Sequence, residues 1–206
     1  MPNTNNKKFW ERVAKLYAPF MKSSDGLYED ISQRIRLYLK EDMGVLELAC
    51  GTGQLSFRLA KRVKLWEATD FSPKMIAEAG KRPHSSRLHF SVQDAASLPY
   101  ADGTFDALVI ANALHIMPEP EKAMTEIRRV LKSDGLLFAP TFIHGEGAGF
   151  RLRIRIMGLI GFKTYHKWNA AEFVRFIERH GFSVKEQAVL GGSLTPLCCL
   201  IAKKNS

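Results

Sequence analysis

Cysteine is scarce in this 206-residue chain, which holds only Cys50, Cys198 and Cys199. An odd count with two sequence neighbours excludes a disulfide framework, because adjacent cysteines rarely reach bridge geometry. No CxxC or Cys/His ligand spacing occurs, so no metal is expected. Long apolar runs are also missing. No segment approaches the roughly 20 apolar residues of a membrane span, and the opening MPNTNNKKFWERVAKLY has no apolar signal core. These gaps give the expectation of a cytoplasmic protein with reduced thiols. Basic tracts are absent too. Lys and Arg number 30 against 21 Asp and Glu, a net charge of +9, yet no run of about five cations appears. The excess allows contact with nucleic acid, an anionic membrane or an acidic substrate, and it equally describes a solvated basic surface. No GK[ST] follows a glycine loop, which excludes a standard P-loop. There is no internal repeat and no low-complexity tract.

What is present is an ordinary globular balance, 46% hydrophobic and 25% charged. The length suits a single domain over residues 1–206. Its first forty residues read as a helical cap of two helices. Phe9, Val13, Leu16, Tyr17 and Phe20 recur at helical spacing until Pro19 ends or kinks the first. Leu27, Ile31, Ile35 and Leu39 mark the second. From Gly44 the texture changes. GVLELA is a short apolar run that predicts a buried strand. GQLSFRLAKR predicts a helix and KLWEATD a second strand. Ser72 and Pro73 open the helix of PKMIAEAGKR, with serine as cap and proline in the first turn. RLHFSV and FDALVIAN predict third and fourth strands. PEPEKAMTEIRRVLK is a helix with an acidic start and a basic end, and LLFAPTF is the fifth strand. After an irregular stretch, AAEFVRFIERH predicts a helix with Gly181 past its end. FSVKEQAVL and TPLCCLIAK, joined at Gly191 and Gly192, predict a closing antiparallel pair. Strands alternating with helices mean crossover units, so the expected class is α/β: a mostly parallel, doubly wound seven-stranded sheet with that antiparallel pair at its end.

The most informative stretch is VLELACGTGQLSFRLA, a strand running through a glycine-bearing turn into a helix. Open α/β sheets bind ligands where such turns leave the carboxyl ends of strands, and Gly51 and Gly53 allow close backbone approach. The pattern alone is weak. A dinucleotide fingerprint would carry a third glycine where Ser56 stands. Acids sharpen it: Glu47 before the turn, Asp70 at the end of the second strand, Asp94 after the third, Asp106 opening the fourth. An acid at the second position can accept both hydroxyls of a ribose. Carboxylates here repel a pyrophosphate but suit a ligand with a sulfonium and an ammonium. Charge selection therefore favours S-adenosyl-L-methionine over NAD.

Taken in order, ELACGTG, ATDFSPKMI, VQDAASLPYADGTFDALVIANALHIM and EIRRVLKSDGLLFAP resemble the motifs of the class I S-adenosylmethionine-dependent methyltransferases. The nearest likeness is to the small-molecule and lipid branch with the ubiquinone/menaquinone biosynthesis methyltransferases. The fold implied is Rossmann-like. The chain departs from the pattern at Ala49, which stands at the family's first glycine. The resemblance implies that Glu47 organises the loop and approaches the methionine ammonium, directly or through water. It places the backbone of Ala49, Cys50 and Gly51, with Gly53, along the methionine part. Asp70 would hold the ribose, Phe71 and Met75 would pack near the adenine, and Asp94 with Ala95 would face its amino group. Asn112 and Leu114 would close over the methionine end, and Tyr17 would cover the cofactor. For each there is a structural alternative: a capping acid, a small loop residue, core packing.

Methyl transfer is an in-line displacement to which a protein contributes mainly orientation and desolvation. Where the acceptor carries a proton, His115, in the loop after the fourth strand, is the catalytic candidate. His144 and His166 are weaker ones. Residues 142–168 are expected to form an acceptor lid. Its RLRIRIMGLIGF suits an amphipathic acceptor, an anionic head group or peripheral contact with an anionic membrane. NALH after the fourth strand differs from the NPPY type and argues against nucleic-acid methylation. A module that holds the cofactor without turnover is the competing reading. The acceptor and the oligomeric state are not legible.

Overall fold

A computed structural model describes residues 9–14, 24–144, 163–192 and 196–205. Residues 9–14 are helical. Helix α1 (Asp25–Arg36) follows, then strand β1 (Gly44–Leu48), α2 (Ser56–Leu59), β2 (Leu65–Asp70), α3 (Pro73–Gly80), β3 (Leu88–Val92), β4 (Phe105–Ile110), α4 (Pro120–Val130), β5 (Leu131–Phe138), β6 (Thr141–Phe142), α5 (Ala170–Arg179), β7 (Phe182–Leu190) and β8 (Leu197–Lys204). One mixed sheet contains all eight strands in the order β3-β2-β1-β4-β5-β8-β6, with β7 on β8. The first five strands pair in parallel, and β8 is antiparallel to β5, β6 and β7.

The expected seven strands become eight for a local reason. β5 and β6 both run along β8, and Ala139 N–H still bonds to Leu200 O at 2.9 Å between them. Pro140, which has no N–H to donate, splits one strand position into two segments. The helix expected after the loop is also shorter, a single α-turn that tightens into a 3-10 turn at Ala60–Arg62.

Local chemistry explains the helix ends. Ser72 accepts the Met75 N–H at 3.3 Å with Pro73 next in line, as its sequence predicts. Asn169 and Glu172 form a reciprocal capping box on α5, and Gly181 closes that helix with φ +83°. Period-two alternation then divides the core between the sheet's two faces. Leu46, Leu48, Leu108 and Ile110 bury against α4 and α5. Val45, Trp66, Ala107 and Val109 bury against α1 and α2. Strands covered on both sides read as the near-continuous apolar runs seen in the sequence. Among the described residues, no helix is long and apolar enough to cross a membrane.

The chain winds outward from β1 through β2 to β3, then returns to place β4 on the other side of β1. That reversal leaves a crevice at the carboxyl ends of β1 and β4.

Candidate functional site

A cavity of about 540 Å³ occupies this crevice, within the range of small-molecule and cofactor pockets. Four strand ends contribute to its wall: Ala49 and Gly51 after β1, Asp70 to Ser72 after β2, Gln93 to Ser97 after β3, and Ala111 to Ala113 after β4. Thr69, Met75 from α3, residues 116–119 and Lys122 and Ala123 of α4 complete it, together with Trp10 from the helical turn at 9–14.

The loop after β1 is held by its backbone. Ala49, Gly51 and Gly53 all adopt left-handed conformations, with φ of 53°, 57° and 84°. Cys50 N–H bonds to Thr69 O at 2.9 Å, and Gly53 N–H to Cys50 O at 3.0 Å. Asp70 locks the turn from the neighbouring strand. Its Oδ2 accepts the Gly51 N–H at 2.9 Å and its Oδ1 the Ser72 N–H at 2.8 Å. Burial raises its pKa, and the two backbone donors oppose that rise. Each oxygen keeps a further lone pair, and the residue lines the cavity.

Glu47 behaves differently. It is 2% exposed and does not line the cavity. Its Oε2 accepts the Ser56 hydroxyl at 2.5 Å and the Trp66 indole N–H at 2.8 Å. Desolvation dominates and pushes its pKa up to about 7, against the pull of those two donors. Glu47 therefore does organise the loop, by tying β1 to the first residue of α2. Its carboxylate turns into the core, so the geometry provides no direct approach to a ligand in the cavity.

The other expected residues divide in the same way. Ala49, Gly51, Asp70, Phe71, Met75, Asp94, Ala95 and Asn112 converge on the cavity. Asp94 shapes its own loop by accepting the Ala96 N–H at 2.9 Å. Asn112, at φ 54°, accepts the Phe142 N–H at 3.2 Å and fixes the turn after β4. Cys50 is buried off the cavity, and burial lifts its thiol well above the ordinary range. Gly53 is off the cavity as well, and a Cβ there would come within 2.6 Å of the Phe57 ring. Leu114 is fully buried in the core under α4. Asp106 lies at the opposite end of β4, where it accepts from Gly44 N–H and Lys132 Nζ. Tyr17, and Arg151, Arg153 and Arg155 of the expected lid, lie outside the described residues.

His115 does not line the cavity either. Its ring is buried, and its backbone oxygen accepts the N–H groups of Tyr165 and His166 at 3.0 and 3.1 Å. Desolvation first, and then the charge of His166, hold its pKa down at about 4. Residues 163–168 thus pack on the turn after β4, as a segment over an acceptor would, but the imidazole is a weak base there. Sequence reading missed Trp10, Gln93 and Met117 as wall residues. The first stands on an amphipathic helix read only for its core face, and the other two flank motif residues already singled out. Among the described residues, no group of three or more His, Cys, Asp or Glu could hold a metal.

Residues 46–139 match the family described as "Methyltransferase domain". Over 107 residues, the chain is 37% identical to the demethylmenaquinone methyltransferase of Lactobacillus johnsonii, an alignment covering 48% of this chain and 44% of that protein. The chain spans about a third to a half of the length of the curated relatives it matches. A solved Thermotoga maritima structure, described as a SAM-dependent methyltransferase and possible histamine N-methyltransferase, superposes with a TM-score of 0.76 at 20% identity, covering 97% of this chain and 99% of that one. The [4+2]-cyclase SpnF superposes at 0.72 with 22% identity over 89% of this chain and 82% of its own. At such identities the likeness shows the fold alone.

Proposed function

From the premise that residues 46–139 form a class I, Rossmann-like methyltransferase domain, we propose that the chain transfers a methyl group from S-adenosyl-L-methionine to a small-molecule or lipid-like acceptor. The observation that carries this reading is Asp70. It is locked to the turn after β1 by two backbone donors, yet it lines the cavity with lone pairs to spare.

The residues present fit that cofactor. Asp70 can accept both ribose hydroxyls, and the Ala49–Gly51 backbone leaves room for the methionine chain. Phe71, Met75 and Ala95 offer a mostly apolar slot for the adenine, with Asp94 at its edge. The chain's only cation on the described wall is Lys122, which is paired with Glu119 at 2.8 Å. A pyrophosphate would meet Asp70 and Asp94 there without a compensating charge, which argues against NAD. The bound cofactor supplies an electrophilic methyl on sulfonium. The chain's residues bind it, orient it and exclude water.

The curated relative's name suggests a quinone-like acceptor as one candidate class. We further propose that the whole chain works as one domain in the cytoplasm. Contact of the lid with an anionic membrane remains a subsidiary proposal.

Isothermal titration with S-adenosyl-L-methionine, S-adenosyl-L-homocysteine and NADH tests this reading. Both adenosyl ligands should bind the native chain, and Asp70→Ala should weaken them by roughly 100-fold or more, since hydrogen bonds to a charged group contribute about 1.5–3 kcal/mol each. Binding of NADH alone, or of none of the three, would sink the reading.

A further inference from the structure

The sheet carries a second hollow at its other end. A groove of about 730 Å³ is lined by Asp102 and Gly103 before β4, Arg128 and Arg129 of α4, Ser133 of β5, His180 at the end of α5 and Lys204 at the end of β8. It lies at the amino ends of β4 and β5, whereas the crevice lies at the carboxyl ends of the parallel strands. Its charges do not balance. Arg129 is neutralised by Asp102 at 2.9 Å and Glu126 at 2.7 Å. Asp102 is the one acid on the groove wall, and that pairing engages it. Arg128 and Lys204 have no acid paired with them among the described residues.

The backbone carbonyls at this end do not account for both cations. His180 Nδ1 contacts Phe176 O at 2.7 Å, Gly181 N–H bonds to Glu178 O at 3.0 Å, and Lys204 Nζ donates to Leu131 O at 2.6 Å. Arg128 is exposed and donates to no group among the described residues. Its side chain is nevertheless seated. Nε stands 2.6 Å from where a Cβ on Gly181 would be, so the guanidinium stem lies against bare backbone that only a glycine leaves open. The two cations feel each other: burial first, and then the charge of Arg128, lower the Lys204 pKa, with Asp102 opposing. Like charges held together in a groove favour an anion between them.

We propose that this groove binds a phosphate group, held by the Arg128 guanidinium and the Lys204 ammonium with the Ser133 hydroxyl beside them. A guanidinium offers a planar fork of N–H donors that matches two phosphate oxygens, and an ammonium adds a point charge. The basic excess of the sequence, +9 overall, thus has one defined place to act. The site is independent of the methyl-transfer reading, because no residue of the groove lines the crevice.

The test titrates inorganic phosphate into the full chain at constant ionic strength, with chloride as the reference anion. Binding is read by calorimetry and by the Arg128 Nε–H resonance, assigned by its disappearance in Arg128→Gln. Phosphate should bind saturably and move that resonance, and chloride should do neither. Arg128→Gln and Lys204→Gln should each weaken phosphate by roughly tenfold or more, since hydrogen bonds to a charged group are worth that much. Lys81→Gln removes the same charge from α3, away from the groove, and should leave the affinity within about twofold of native. Flotation with phosphatidylcholine vesicles, with and without phosphatidic acid, separates the two sources of the group. Flotation that needs phosphatidic acid and is competed by free phosphate places the phosphate on a lipid headgroup. Saturable binding without flotation places it on a soluble molecule. Equal losses in all three variants would mean diffuse surface charge and overturn the site. An Arg128 resonance that phosphate does not move in the native chain would overturn it as well, whether or not the variants fold.

Discussion

Glu47 and Asp70 stand on adjacent strands, Glu47 opposite Ala68 in the β1–β2 register and Asp70 at the end of β2. Both are carboxylates with raised pKa values, and both grip the loop after β1. Glu47 does so from inside, through Ser56 and Trp66 side chains. Asp70 does so from the cavity side, through backbone N–H groups of Gly51 and Ser72. A side-chain-bonded acid buried in the core serves the fold. An acid held by backbone donors at a strand end keeps its remaining lone pairs for a ligand. The lesson is that an acid's place in a motif does not assign its job; the direction it leaves the strand does.

Substituting the two acids separately gives the sharpest break of this comparison. Asp70→Ala should lose adenosyl-ligand binding as above, whereas Glu47→Gln should change it by no more than about threefold. Stability should behave in the opposite way. The folded state keeps a proton on Glu47 up to about pH 7, and the unfolded chain releases it near 4.5. The folded state therefore binds the extra proton between those values, and this residue's contribution is present below pH 4.5 and lost as pH rises through 7. By linkage the difference across that window is about 3 kcal/mol. Urea unfolding from pH 5 to 8 should show native stability falling relative to Glu47→Gln by about that amount. A parallel pair of curves would mean that Glu47 is not buried as described.

The same inside-outside contrast runs through the loop glycines. Gly53 faces the core, at φ 84° with the Phe57 ring 2.6 Å from where a Cβ would stand. Gly53→Ala should combine left-handed strain with overpacking and cost about 2 kcal/mol or more. A thermal midpoint within a degree of native would show that Phe57 moves aside freely.

Much of this was legible. Strand patterns located seven strand positions, the fifth of which the structure begins earlier and divides into β5 and β6, and Ser72-Pro73 and Gly181 marked helix ends through local chemistry that tertiary context did not override. Eight of the expected cofactor residues line the cavity, because strand ends are fixed by topology once the alternation of strands and helices is read. Glu47, Leu114 and His115 escaped because one-dimensional spacing does not say which way a side chain turns at a strand end. Parity would have helped with the first: Leu46 and Leu48 bury toward α4, so Glu47 between them must face the other side, where Trp66 waits. Trp10 on the cavity wall and the backbone contact of residues 165–166 with His115 depend on segments distant in sequence packing together, and no local pattern encodes that.

The smallest effect belongs to Ala49, on the outward arm of the comparison. It is the departure from the family's glycine, and it adopts φ 53°, where an L-residue with a Cβ is strained. Unlike Gly53 it lines the cavity rather than the core, so removing its methyl opens no hole in packed interior. Ala49→Gly relieves the strain but also frees the unfolded chain, and the two effects oppose each other. The strain is the larger, so the variant should gain about 1 kcal/mol, visible as a raised thermal midpoint. Adenosyl-ligand affinity should hold or improve slightly, since in the proposed function the Ala49 backbone, and not its methyl, meets the cofactor. A loss of affinity would instead mean that the Ala49 methyl itself forms part of the cofactor wall, and that the chain's departure from the family pattern was shaped by its ligand.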